Sequence, residues 1–233
     1  MVLAVLLALA GAAVAGTFAV QLLRQYAARR RNHALAWGLS LSLYTIGMLV
    51  LAAGFAFGWS PATYGTYWLT GALLNVPLLA IGQLHLVAPR LSVLWWTLAG
   101  LFTVWAFAAV ALSPFDAAAL QAATAEGGIP EGADVLGGSL AYAVLRPFTI
   151  FGALVVVAGT LWSGIRTKRY GILLIALGVA ISASSTSFLR AGLDPFVALA
   201  LAAGVSVMYL GFRAAGKPSK RSTSTRPAAT TSA

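Results

Sequence analysis

Seven apolar blocks of roughly 20 residues follow one another along this chain, separated by short polar breaks. Each block is long enough to cross a hydrocarbon core of about 30 Å. Backbone inside a bilayer must satisfy its own hydrogen bonds, so the pattern predicts helices. They run over about 3–23, 34–58, 62–87, 91–112, 139–165, 170–188 and 195–212. The fold class is all-α: a polytopic membrane bundle of seven transmembrane helices over residues 1–213, with one longer loop at 113–138. The last stretch, 214–233, is Ser/Thr/Pro-rich and basic and reads as a disordered tail.

The first block opens MVLAVLLALAGAAVAG, with the small residues of a signal-peptide cleavage region but no basic start. Its apolar run continues to Arg24, so it reads as an uncleaved first span. Within the loop, Ser113-Pro114-Phe115-Asp116 resembles a helix start, with a hydroxyl cap, Pro at the first position and a carboxylate at the third. The Ala-rich 116–126 segment then ends at Gly127-Gly128, which predicts a short helix on the outer face; a flexible linker is the alternative.

Charge adds orientation. The four stretches following the first, third, fifth and seventh blocks hold 13 of the 15 Lys and Arg residues, and all five acidic residues lie on the opposite side. The positive-inside rule then puts the N-terminus outside and the C-terminus in the cytoplasm. Only Arg146 and Arg190 depart from the pattern. Arg190 and Asp194, four apart at the last turn, are placed to pair.

Composition supports a membrane class. The chain is 60% hydrophobic and only 9% charged, too little polar surface for a water-facing domain. A net charge of +10 is topogenic here and meets anionic lipid rather than nucleic acid. Lys217, Lys220 and Arg221 of the tail are the expected lipid contacts on the cytoplasmic face. With no Cys, disulfides, thiol chemistry and Cys-ligated metal are closed off. Arg outnumbering Lys, with abundant Ala and Gly, fits a GC-rich bacterial genome and an inner (plasma) membrane location.

The third block, GALLNVPLLAIGQLHL, is the most informative. Gly71, Asn75, Leu78, Gly82 and His85 share one helical face. Pro77 frees a carbonyl near Leu73 and permits a kink. An amide beside a kink on a small-residue face builds a polar pocket, or bonds across to a neighbouring helix. Candidate ligand-binding residues are Tyr44, Asn75, Gln83, His85 and Arg146. His85 also fits a place at the inner interface, and Arg146 either snorkels to headgroups or meets an anion in an outward cavity.

Three other stripes of small residues are read as packing surfaces: Ser40, Tyr44, Gly47, Leu51, Gly54 and Gly58; Gly171, Ile175, Gly178, Ser182 and Ser185; and Gly204, Met208 and Gly211.

Several chemistries lack their residues. No Asp or Glu lies inside an apolar block, which argues against carboxylate-coupled transport. The seventh block has no Lys for a retinal Schiff base, and no metalloprotease, nucleophile-elbow or phosphate-loop motif occurs. The 182–187 run SASSTS supplies hydroxyls without a base. Neither a cofactor, a metal nor an enzymatic role is expected.

The run TYWLTGALLNVPLLAIGQLHL, with RQYAARRRNHALAW upstream, resembles small seven-helix membrane proteins of GC-rich bacteria. That group carries no assigned activity, so the resemblance implies a fold and no chemistry. The residues themselves point to a ligand or partner bound within the bundle, in a sensor-like or accessory role. A facilitative transporter with a three-plus-one-plus-three helix repeat is the alternative. A second copy of the chain or another membrane protein is an open partner.

Overall fold

The computed structural model describes residues 1–167 and 170–215, and only the backbone at Leu145, Arg146 and Thr167. The tail residues Lys217, Lys220 and Arg221, expected to meet anionic lipid, lie outside the described residues. Among those described, the chain is all-helical. Seven helices are long and apolar enough to cross a membrane.

Helix α1, Val2–Arg29, runs past the end that hydropathy predicts. Arg, Gln and Ala after Leu23 are good helix formers, so the helix continues although apolar character stops. It ends on Arg30 in the left-handed region, with φ +50° and its N–H donating to Tyr26 O at 2.7 Å. The Arg30 guanidinium lies over the Tyr26 ring. Helix α2, Asn32–Phe57, closes on Gly58 at φ +85°, where an added Cβ would also run into Thr124. Such a turn selects glycine.

Helix α3 spans Pro61–Val87 in three pieces. Ser60 and Thr63 form a capping box with Pro61 in the first turn. The middle, Trp68–Leu74, is a π-helix, and regular α geometry resumes at Asn75. Pro77 explains the change. Its missing N–H leaves the Leu73 carbonyl without its usual donor, and its ring crowds that carbonyl. Widening the preceding turns relieves both, so the predicted kink takes the form of π geometry.

Helix α4 is Ser92–Ala111, entered through a 3₁₀ turn at Pro89–Leu91. Two short helices follow, α5 at Ala117–Glu126 and α6 at Gly132–Leu136. The cap of α5 is Asp116, not Ser113: its carboxylate accepts from the Ala118 and Ala119 N–H groups at 2.8 and 3.1 Å. A carboxylate reaches two orphan donors and complements the positive helix end, which a hydroxyl three residues earlier cannot do. Ser113 instead donates back to Ala109 O in the last turn of α4. Helices α7 (Leu140–Thr167), α8 (Tyr170–Arg190) and α9 (Asp194–Ala215) complete the chain.

Six long helices pack as a closed ring in the order α1, α2, α3, α7, α8, α9 and back to α1. Helix α4 stands outside it against α3 and α7. Its apolar side chains Val93, Leu101, Val104 and Phe107 are exposed, a surface a water-soluble monomer does not tolerate. Contacts at the helix ends show that the charges segregate. Met1 meets Gly127, and Asp194 meets Gly128, at the end that carries the acidic residues. Asn32 donates to Ser92 at the basic end, beside Arg30, Arg31 and Arg90.

The closest pairing in the ring is α8 with α9. A Cβ on Gly178 would stand 2.5 Å from Gly204 O and 2.7 Å from Met208 N, and one on Gly211 would stand 2.6 Å from Gly171 O. The two backbones touch along a glycine seam, the packing that small-residue spacing predicts.

Candidate functional site

The kinked α3 faces the ring interior. There the Ser40 hydroxyl on α2 shares its proton between the Asn75 main-chain oxygen and Oδ1, at 2.8 and 2.6 Å. One turn toward the basic end, Trp37 Nε1 donates to Leu79 O at 3.0 Å. These bonds, one on each side of Pro77, fix α3 to α2. Asn75 Nδ2 keeps no protein acceptor among the described residues.

Tyr44, one turn from Ser40 on α2, crosses the ring and donates to Leu201 O on α9 at 2.9 Å. Its ring and Asn75 border a cavity of about 550 Å³ between α2, α3, α7, α8 and α9. That volume lies in the range of roughly 300–1,000 Å³ typical of small-molecule sites.

The cavity is polar toward the acidic end and apolar toward the basic end. Tyr67, Ser185, Thr186 and Arg190 border the first part; Leu41, Leu79, Val156, Val179 and Met208 form the floor. Thr149 on α7 also lines it, and its buried hydroxyl has no hydrogen-bond partner among the described residues. Among the described lining residues Arg190 is the one formal charge. Orphaned buried hydroxyls are uncommon because each costs about 1–3 kcal/mol.

The acidic end of the ring is covered. Trp59 Nε1 donates to Gly128 O at 2.8 Å, and Tyr64 OH to Pro130 O at 3.2 Å. Trp59, Tyr64, Tyr67, Trp68 and Tyr142 form a chain of ring contacts with centroids 5.5–6.3 Å apart. Leu120, Ile129, Val135 and Leu136 of the loop are buried against this cluster. The 113–138 loop is therefore an ordered cap, and Trp59 and Tyr64 pin it. Asp194 belongs to the same cap: its carboxylate lies against the loop backbone at Gly128 and Ile129. No ion pair joins it to Arg190 among the described residues, contrary to the pairing their spacing suggests. The loop backbone reaches Asp194 first, and Arg190 stays exposed.

Of the sequence candidates, Tyr44 and Asn75 border the cavity together. Gln83 and His85 lie off it. Gln83 packs on Gly159 of α7, with Oε1 buried and without a partner among the described residues. His85 sits 5.2 Å from the Trp96 ring centroid, with Nδ1 against Ile81 O at 2.8 Å. These two are 200° apart on the helix, so they cannot serve one pocket. The Arg146 side chain is outside the described residues.

Sequence reasoning missed Tyr67, Thr149, Ser182, Ser185, Thr186 and Arg190 as one group. The available signal was the SASSTS run, read for its lack of a base rather than as a polar wall within an apolar span. Among the described residues, no three His, Asp or Glu side chains gather. The arrangement offers donors, one cation and an apolar floor, which suit binding. No family model, no curated protein and no solved structure matches this chain, so the functional reading rests on its own geometry.

Proposed function

We propose that this chain is a multi-pass bacterial inner-membrane protein that binds a small or lipidic ligand inside its helix ring. In this reading the N-terminus is outside, the C-terminus is cytoplasmic, and the role is sensor-like or accessory rather than enzymatic. The observation that carries it is the 550 Å³ cavity beside the π-helical stretch of α3, bordered by Asn75, Tyr44 and Thr149. The seven apolar helices support the membrane setting. The basic ends of α1 and α7 support the orientation.

The test is native mass spectrometry of protein released from its own membranes. Wild type is expected to retain a bound small molecule that Asn75→Leu with Tyr44→Phe loses. Equal retention by the folded double variant ends the cavity reading. The tail residues Lys217, Lys220 and Arg221 are proposed to hold anionic lipid, each contributing about 1 kcal/mol near the surface. A tail peptide should then bind anionic vesicles less as salt rises.

A second reading, a facilitative transporter, is favoured by one feature. The ring order keeps its neighbours when α1–α3 are exchanged with α7–α9, and α4 stands outside, as a three-plus-one-plus-three layout requires. Against it, the exchange matches the close α1–α2 pair with the looser α7–α8 pair. Flux of the retained molecule into proteoliposomes separates transport from binding alone.

A further inference from the structure

The cavity has a rim as well as a floor, and the rim is on one side. Among the described lining residues, those exposed are Ile150 on α7 and Ala183, Thr186 and Arg190 on α8. Lining residues on α2, α3 and α9 are buried or half-buried. The end-on route is closed by the cap, which is bonded to α3 through Tyr64 and to the α2–α3 turn through Trp59. Ile150 is ten residues into α7, about 15 Å from its start, and Ala183 is seven residues, about 10 Å, from the end of α8. Both positions fall within a hydrocarbon core of about 30 Å, not at its surface. The opening is therefore a lateral cleft between α7 and α8.

The lining is graded along the same axis. Arg190 and the hydroxyls of Ser185 and Thr186 stand at one end; Val179 and Met208 lie at the other. Arg190 and Val179 are separated by 11 residues of α8, about 16 Å. A volume of about 550 Å³ over that length is a slot of one-chain width. Guanidinium with no carboxylate among the described lining residues selects an anion, and two-point hydrogen bonding suits carboxylate or phosphate.

We infer that the site takes a single-chain amphiphile with a carboxylate or phosphate headgroup, which enters sideways from the bilayer through the α7–α8 cleft. The headgroup sits at Arg190 and the chain lies on the apolar floor. This rests on the cavity reading above and adds the ligand class and the route.

The experiment uses the full chain in nanodiscs. Probes are palmitate, palmitoyl lysophosphatidate, hexadecanol and inorganic phosphate, with equilibrium binding and dissociation rates recorded. Palmitate and the lysolipid are expected to bind, with the tighter of the two naming the headgroup, and inorganic phosphate is expected not to bind. Arg190→Gln should weaken the two anionic probes about tenfold and leave hexadecanol within twofold. Ala183→Trp, at the exposed rim, should slow association and dissociation of palmitate about tenfold each and leave its affinity within threefold. Ala153→Phe, which fills the slot, should abolish binding of every chain-bearing probe.

If palmitate still binds with the slot filled, the cavity reading itself fails. If filling abolishes binding but Arg190→Gln weakens hexadecanol as much as palmitate, the headgroup assignment is overturned. Unchanged rates in Ala183→Trp overturn the lateral route. Each variant is first checked for wild-type thermal unfolding, and Arg190→Lys is the second variant should Arg190→Gln fail to fold; it keeps the charge but not the two-point geometry and should weaken the anionic probes severalfold while leaving hexadecanol within twofold, equal affinity for the anionic probes overturning the headgroup assignment.

Discussion

Helix α8 shows two faces built from the same kind of residue. Toward α9, Gly171 and Gly178 bring the two backbones into contact. Toward α7, Ala183 is equally small, as is Ala153 on α7 itself, yet both border the cavity. The difference lies in the partner. Helix α9 offers Gly204 and Gly211 in register, so small meets small and the helices close. Helix α7 meets α8 along a looser face, and small residues there leave volume. Small-residue spacing thus permits close approach without enforcing it.

The largest expected effect tests the closed face. Gly178→Leu puts a side chain against the Gly204 carbonyl and Met208 N–H, which are backbone and cannot rotate away. It should cost about 3 kcal/mol or more, seen as a lower midpoint in thermal or denaturant unfolding. A smaller loss would show that the seam yields.

Loss of the Ser40 hydroxyl tests the joint between α2 and α3. Ser40→Ala strands Asn75 Oδ1 in a buried position and should cost about 1–2 kcal/mol in unfolding. Ligand retention should fall with it, because Asn75 loses its fixed orientation.

Caps come next. Asp116→Ala removes the carboxylate that holds the first turn of α5 and should cost about 1 kcal/mol. Hydrogen exchange should rise over Ala117–Glu126 and not along the α8–α9 seam. Exchange that rises equally in both places would mean that cap and seam open as one unit.

The smallest effects sharpen the comparison. Ala183→Leu on the open face should change stability by about 0.5 kcal/mol or less. Gly100→Leu on α4, where a Cβ meets nothing within 4 Å, is the matching control; its exposed helical glycine should if anything stabilise, by roughly 0.5–1 kcal/mol. If Ala183→Leu instead destabilises as strongly as Gly178→Leu, the cleft is closed in the protein and the two faces of α8 are alike.

Much of this was legible in the chain. Helix number and class follow from block length, because a bilayer leaves unsatisfied backbone no alternative to helix. Pro77 announced the disturbance in α3, since a missing N–H acts locally whatever surrounds it. The glycine seam was legible too, as both partners carry the spacing. Helix ends were less so: α1 passes Leu23 because helix propensity, not hydropathy, decides where the backbone stops.

Only the tertiary structure decided the rest. Nothing local in the sequence tells that Gln83 and His85 point to different neighbours while Asn75 and Tyr44 border one cavity. Nor does Asp194 reveal, four residues from Arg190, that a loop some 65 residues upstream takes its carboxylate. The exclusion of α4 from the ring is of the same kind, since a helix apolar on all sides gives no sign of which neighbour it meets. Span, class and kink are properties of contiguous residues. Cavity, cap and cleft are made by helices far apart in the chain, and their shape depends on which small residues find each other in register.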